Sequence, residues 1–182
     1  MNKVLLILTI GFSASLLTAC NQNPDAKTAT SSKDSVSTTM AANEEPVVFK
    51  DPLINTAFGN YIALKNALVS SDVSLAQKAA SEMDVALKQI EGCKNTADIA
   101  GRISAATAIE QQRKDFTALS DDFIALIKHA DVQEGTTYVQ YCPMANSGDG
   151  GYWMASSKEI RNPYYGDKML NCGEVKEEIS KK

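Results

Sequence analysis

The chain has 182 residues, with 18 basic and 22 acidic side chains and a formal net charge of −4. An acidic chain with no run of lysines and arginines is a poor nucleic-acid binder, because neutralising phosphates takes clustered cationic side chains. No nucleic-acid partner is therefore expected, and the length suits one domain beyond a targeting segment.

Residues 1–20 read as a signal peptide and are set apart from the fold. Lys3 supplies the positive start, and Val4 to Leu17 form an apolar run short for a transmembrane helix. The run ends in Leu17-Thr18-Ala19-Cys20, which is similar to the lipobox of bacterial lipoproteins, where the cysteine becomes the lipidated first residue. Several acyl chains on one residue give lasting anchorage, at about 0.8 kcal/mol per buried methylene. Cys20 is thus the expected lipidation site. The protein is expected to be exported and held on a bacterial membrane facing the periplasm, with Asn21 pointing to outer-membrane sorting. Removing residues 1–20 takes one lysine and no acid, so the mature balance of 17 basic against 22 acidic side chains is −5. Export meets oxidising conditions, so the remaining Cys93, Cys142 and Cys172 can include one disulfide, with at least one thiol left over.

Residues 21–45 are rich in Ser, Thr, Ala, Asn and Lys and poor in large apolar side chains. Such a stretch buries too little surface to offset its ordering entropy and reads as a flexible tether. Residues 46–182 form the expected single domain. Its class is mainly α: a small antiparallel helical bundle, with an irregular, turn-rich C-terminal cap (136–175) carrying one or two short strands.

Asp51-Pro52 predicts a helix start, the carboxylate capping orphan amides and the proline fitting the first turn. Ile54, Phe58, Tyr61, Leu64 and Leu68 follow at helical spacing. Ser70-Ser71-Asp72 breaks that run and caps a second helix with the face Leu75, Ala79, Met83, Ala86, Leu87 and Ile90, stopped by Gly92. Asn95 to Asp98 predicts a short, weak helix interrupted by Gly101. Thr107 to Glu110 has capping-box spacing ahead of the most regular amphipathic helix, through Phe116, Leu119, Phe123 and Ile127 to about Asp131. Short links imply antiparallel neighbours, with Tyr61, Met83, Phe116 and Phe123 in the core. Cys93 reads as a small residue at a helix end, and His129, the only histidine, as a partner of the helix dipole.

The cap is where chemistry concentrates. Tyr138 to Gly173 contains Cys142, Cys172, Met144, Met154, Met169, Trp153 and five of the six tyrosines. The β-formers Thr136 to Tyr141 predict a strand into Cys142, which Pro143 holds extended. Ser156 to Glu159 has capping-box spacing for one helical turn, ended at Asn162-Pro163, and Gly166 is expected to take a positive φ. Three readings of the sulfurs stay open on spacing alone. Cys142, Met144, Met169 and Cys172 converge on a soft metal, for which Cu(I) suits better than Zn(II). Alternatively, Cys142 and Cys172 form a disulfide contributing roughly 3–4 kcal/mol. In the third, the methionines are gap-fillers against the rings. A thiol enzyme built on Cys142 and His129 lacks an acid partner, and Pro143 stands where an oxyanion amide is needed, so no catalytic activity is expected.

Tyr138-Val139-Gln140-Tyr141-Cys142-Pro143-Met144-Ala145, then Trp153, then Glu159-Ile160-Arg161-Asn162-Pro163-Tyr164-Tyr165-Gly166-Asp167-Lys168-Met169-Leu170-Asn171-Cys172-Gly173 resembles the signature of an uncharacterised periplasmic domain family. Arg113, Phe116, Leu119 and Ser120 fit the same resemblance, which covers about Asp51 to Val175. That family occurs as small lipoproteins and fused to the adaptor subunits of copper/silver-type heavy-metal efflux pumps. The resemblance implies a helical domain with an irregular cap, a role beside metal export, and Cu(I) or Ag(I) held by Cys142, Met144, Met169 and Cys172, with Trp153 and Met154 as neighbours. A pump adaptor is the implied partner, recruited by a free-standing lipid-tethered module.

Overall fold

The computed structural model describes residues 44–182. The signal peptide, Cys20 and nearly all of the expected tether lie outside the described residues.

Helix α1 (Pro52–Val69) starts where the carboxylate of Asp51 accepts the Leu53 N–H at 2.8 Å. Its stripe of Ile54, Phe58, Tyr61, Leu64 and Leu68 is buried, as expected. Asp72 caps α2 (Val73–Leu87) by accepting the Leu75 N–H at 2.9 Å. The apolar face of α2 differs from the expectation in two ways. Leu75 is exposed and the small residues Ala76 and Ala80 are buried instead, letting α1 and α3 approach closely. The helix also ends at Leu87, and tight turns carry the chain to Gly92.

Helix α3 (Lys94–Ala105) runs straight through Gly101 rather than breaking there. Burial of Ala97, Ala100 and Ile103 between its neighbours outweighs the roughly 1 kcal/mol helix cost of one glycine. Helix α4 (Ile109–Lys128) has Ala108, not Thr107, at its cap, and no side chain closes a capping box there. His129 follows as the C-cap. Among the described residues no helix is long and apolar enough to cross a membrane.

The expectation of one or two strands falls short. Val48–Phe49 (β1) and Val132–Glu134 (β2) make an antiparallel ribbon, and Thr136–Cys142 (β3), Gly151–Ala155 (β4) and Glu174–Ser180 (β5) make an antiparallel sheet in the order β4-β3-β5. The registers Gln140↔Trp153 and Cys142↔Gly151 join β3 to β4, and Tyr141↔Glu174 joins β3 to β5. The helical turn expected from Ser156 does not form; the Ser156 N–H and hydroxyl go to the Glu44 carboxylate instead.

Tyr61 joins helices to sheet. Its ring stacks on Phe123 and Phe116 of α4, with centroids 4.7 and 5.5 Å away. Its hydroxyl pairs with the Ser120 hydroxyl at 2.7 Å and accepts the Met154 N–H of β4 at 3.0 Å. Burial raises its phenol far above the usual range, so the hydroxyl stays neutral. The outer edge of β4 is satisfied a second time by Tyr164, whose hydroxyl donates to the Tyr152 carbonyl at 2.7 Å. Among the described residues no strand pairs with that edge, and two phenols take its hydrogen bonds.

A buried ion pair closes the start of the domain. Lys65 is buried in α1, and its ammonium meets the Glu44 carboxylate. Glu44, expected in the tether, therefore belongs to the folded part. Burial opposes both charges. Lys65 and Ser156 nevertheless hold the Glu44 carboxyl below the usual range, while burial pulls the Lys65 ammonium below its usual range and Glu44 opposes that pull.

Two stability predictions follow from these contacts. Tyr61→Phe keeps the stacked rings but orphans the Met154 N–H and the Ser120 hydroxyl, so denaturant unfolding should show a loss of about 1–3 kcal/mol at unchanged m-value; an unchanged midpoint overturns the bridging role. Glu44→Gln removes the carboxylate that pairs directly with the buried Lys65 and should cost about 3–5 kcal/mol at neutral pH. Because the folded Glu44 pKa is depressed, its contribution is present above the ordinary carboxyl value of 4.5 and fades as pH falls through the lower folded value, so the wild-type and variant unfolding midpoints should converge in acid.

Candidate metal-binding site

Cys142 is the last residue of β3, fully buried. Pro143 follows, and the Ala145 N–H returns to the Cys142 carbonyl at 3.3 Å, turning the chain away from the strand. Cys172 lies in a turn before β5, where its N–H donates to the Met169 carbonyl at 3.0 Å. Asn162 clamps that turn: its amide donates to the Cys172 carbonyl at 2.9 Å, its N–H to the Leu170 carbonyl at 2.8 Å, and its side-chain oxygen accepts the Tyr164 N–H at 2.8 Å.

Gly173 brings the turn onto the sheet. At φ +144° it has no side chain to collide, whereas a Cβ there would lie 2.8 Å from Cη2 of Trp153 and 3.0 Å from the Tyr141 carbonyl oxygen. Trp153 is fully buried, donates Nε1–H to the Gln140 side-chain oxygen at 2.7 Å, and meets the Tyr164 ring edge-on at 6.1 Å. It is the wedge that fills the cap.

The result is a thiol pair. Cys142 and Cys172 lie 30 positions apart in the chain, yet their thiols come within interacting range of one another, and neither is in a disulfide. That contact, and then burial, push the Cys172 thiol up to about 11. Cys142 has no exposed surface and Cys172 is half-buried, so one sulfur is sealed and the other sits at the rim.

The other expected ligands are placed unequally. Met169 is half-buried and opens the same turn as Cys172. Met144, two residues past Cys142, is 53% exposed, with its carbonyl accepting the Tyr165 hydroxyl. Met154 belongs to the bundle-facing core, fully buried, with its N–H on Tyr61. His129 lines a separate cavity of about 570 Å³ with Phe49, Ile54 and Leu126. Cys93 is a buried residue at the start of α3, its thiol raised by burial and by Asp122. Among the described residues, no three His, Cys, Asp or Glu side chains gather as a metal-binding group. Two thiols with a thioether in the adjoining turn suit a soft, low-coordinate ion.

Sequence reasoning missed Asn162, Gln140 and Gly173 as the parts that position the thiols. The Asn-Pro step was the only local signal for any of them. Arg113 anchors the same cap to the bundle, donating to the Pro163 and Leu68 carbonyls at 2.8 and 2.9 Å and to the Ser71 hydroxyl at 2.8 Å.

With its pKa near 11 against an ordinary 9.0, Cys172 should alkylate with iodoacetamide at pH 8 about tenfold more slowly than an unperturbed thiol, the roughly 100-fold loss of thiolate being partly offset by the stronger nucleophilicity of a more basic thiolate. Cys142→Ala removes the leading cause of that shift, so Cys172 should then react roughly several-fold faster, read by peptide mass mapping. An unchanged rate would mean the thiols do not touch.

Residues 57–135 match the model of a family described as a protein of unknown function (DUF3347). The match spans most of α1, all of α2 to α4 and the β1-pairing strand β2, and stops short of β3 and the thiol pair. No curated protein and no solved structure matches the chain.

Proposed function

We propose that this chain is a lipid-anchored exported protein that binds or delivers a soft monovalent metal ion, Cu(I) or Ag(I), in support of heavy-metal efflux or tolerance. The observation that carries the reading is the approach of the Cys142 and Cys172 thiols to within interacting range on the cap. Thiolates are the preferred ligands of such ions, and two of them suffice for a linear site. Met169 adds a thioether from the Cys172 turn, and Met144 one from the loop after Cys142. Thioethers bind without losing a proton, which suits a site that must also release its cargo. Cys20 would hold the protein on the periplasmic side of a membrane, the outer one by its Asn21 neighbour, where a pump adaptor is the partner implied by the resemblance. No catalytic step is assigned to any residue.

One observation favours a second reading. A fully buried Cys142 suits a permanent Cys142–Cys172 staple, making the cap a structural or protein-interaction module that binds no metal.

The test is a competition titration of the reduced full chain with Cu(I) and Ag(I), using Zn(II) as the contrast. One ion per chain should bind far more tightly than micromolar, and the Cys142→Ser, Cys172→Ser double variant should lose that site. Since Cys172 is protonated below about pH 11 and must lose its proton on binding, affinity should rise at least about tenfold per pH unit between pH 6 and 8. Binding no tighter than micromolar, or none lost in the double variant, overturns the reading in favour of the staple.

A further inference from the structure

We propose that the thiol pair is a redox-gated site in which exchange enters at Cys172 and is completed by Cys142. This deepens the metal-binding reading and rests on it for the nature of the cargo.

The argument is one of access. Cys142 has no exposed surface, sealed at the end of β3 beside Gly151 and Ala145, so no external disulfide can reach its sulfur in the folded protein. Cys172 is half-buried in the turn before β5, so unlike Cys142 it keeps exposed surface. Its thiol is within interacting range of Cys142, so once Cys172 has reacted, the second thiol is close by without long-range diffusion. Asn162 and Gly173 hold the Cys172 turn in that position.

The chemistry is thiol–disulfide exchange with a small-molecule disulfide as oxidant. The Cys172 thiolate attacks one sulfur of the disulfide RS–SR; the Cys172 S–SR bond forms, the S–S bond of the oxidant breaks, and RS⁻ leaves and takes a proton. The Cys142 thiolate then attacks the Cys172 sulfur, forming the Cys142–Cys172 disulfide and expelling the second RS⁻. Two protein thiols are oxidised and one external disulfide is reduced to two thiols. The disulfide has no thiolate to offer, so oxidation removes both principal ligands at once and cargo binding requires the reduced pair. The same asymmetry assigns hand-over to Cys172, the ligand an acceptor thiol can reach.

The experiment treats the reduced full chain, and its Cys142→Ser, Cys142→Ala, Cys172→Ser and Cys172→Ala variants, with excess glutathione disulfide at pH 8.5. Peptide mass mapping locates the products, far-UV circular dichroism confirms folding, and Ag(I) titration follows binding. Wild type should gain the Cys142–Cys172 disulfide and lose its tight Ag(I) site, with binding restored by a reductant. The Cys142 variants should accumulate a glutathione adduct on Cys172, at least tenfold faster than the Cys172 variants form one on Cys142. Equal rates, adducts at Cys142 first, or no internal disulfide in wild type overturn the proposal. So does oxidised wild type that binds Ag(I) as tightly as reduced. If reduced wild type binds no Ag(I), the metal-binding reading and the cargo gate fall together, while the adduct positions still decide the order of thiol exchange by themselves.

Discussion

A single phenol ties the two halves of this domain together. Tyr61 lies fully buried on α1, sandwiched against two rings of α4, and its hydroxyl satisfies both a helix serine and a strand amide. A hydrophobic side chain of the same size would fill the volume but leave the β4 amide without an acceptor, and an unpaired buried amide costs more than one hydrogen bond gains. The position of β4 on the bundle is therefore set by hydrogen bonding within an apolar core. Packing alone would tolerate a sliding sheet; the phenol does not.

From Tyr61 the order passes outward through aromatic contacts. Phe116 meets Tyr164 at 5.8 Å, Tyr164 meets Trp153 at 6.1 Å, and Trp153 lies against Gly173, next to Cys172. Rings are stiff and fill large volumes, so a short series of them transmits position with little slack. Arg113 reinforces the link from outside, its guanidinium shared between the α1–α2 turn and the Asn162-Pro163 turn. The thiols are thus positioned by a rigid scaffold although both sit on short, irregular pieces of backbone. This is what a two-ligand soft-metal site or a specific disulfide requires, since either tolerates little error in sulfur placement.

The Glu44–Lys65 pair adds a different constraint. An isolated ammonium inside a helix bundle would be strongly disfavoured, and the carboxylate that compensates it comes from the first described residue, which also holds the Ser156 amide and hydroxyl. The start of the domain is thereby fastened to the end of β4, at the opposite end of the β3–β4 pair from Cys142. Breaking such a pair by removing one partner is costly because it leaves the other charge buried, even where an apolar replacement of both would match the pair's net energy.

The helices were legible in the sequence because their signals are local. Asp51-Pro52 and Asp72 cap, the stripe of α1 has a 3.6-residue period, and Thr136 to Tyr141 are β-formers in a row. The cysteines, methionines and aromatic residues of the cap could be singled out from composition alone. Tertiary context decided what local rules left open or misjudged: α3 continues through Gly101, Leu75 faces solvent, Ser156 serves Glu44 instead of starting a turn, and β4 and β5 complete a sheet. In each case a partner distant in the chain outweighs a preference worth about 1 kcal/mol or less. The site divides the same way. Which residues carry sulfur is a property of the sequence, but that Cys142 and Cys172 come together while Met154 turns into the core is set by strand register, the Asn162 clamp and the absent side chain of Gly173, none of which acts until the chain has closed on itself.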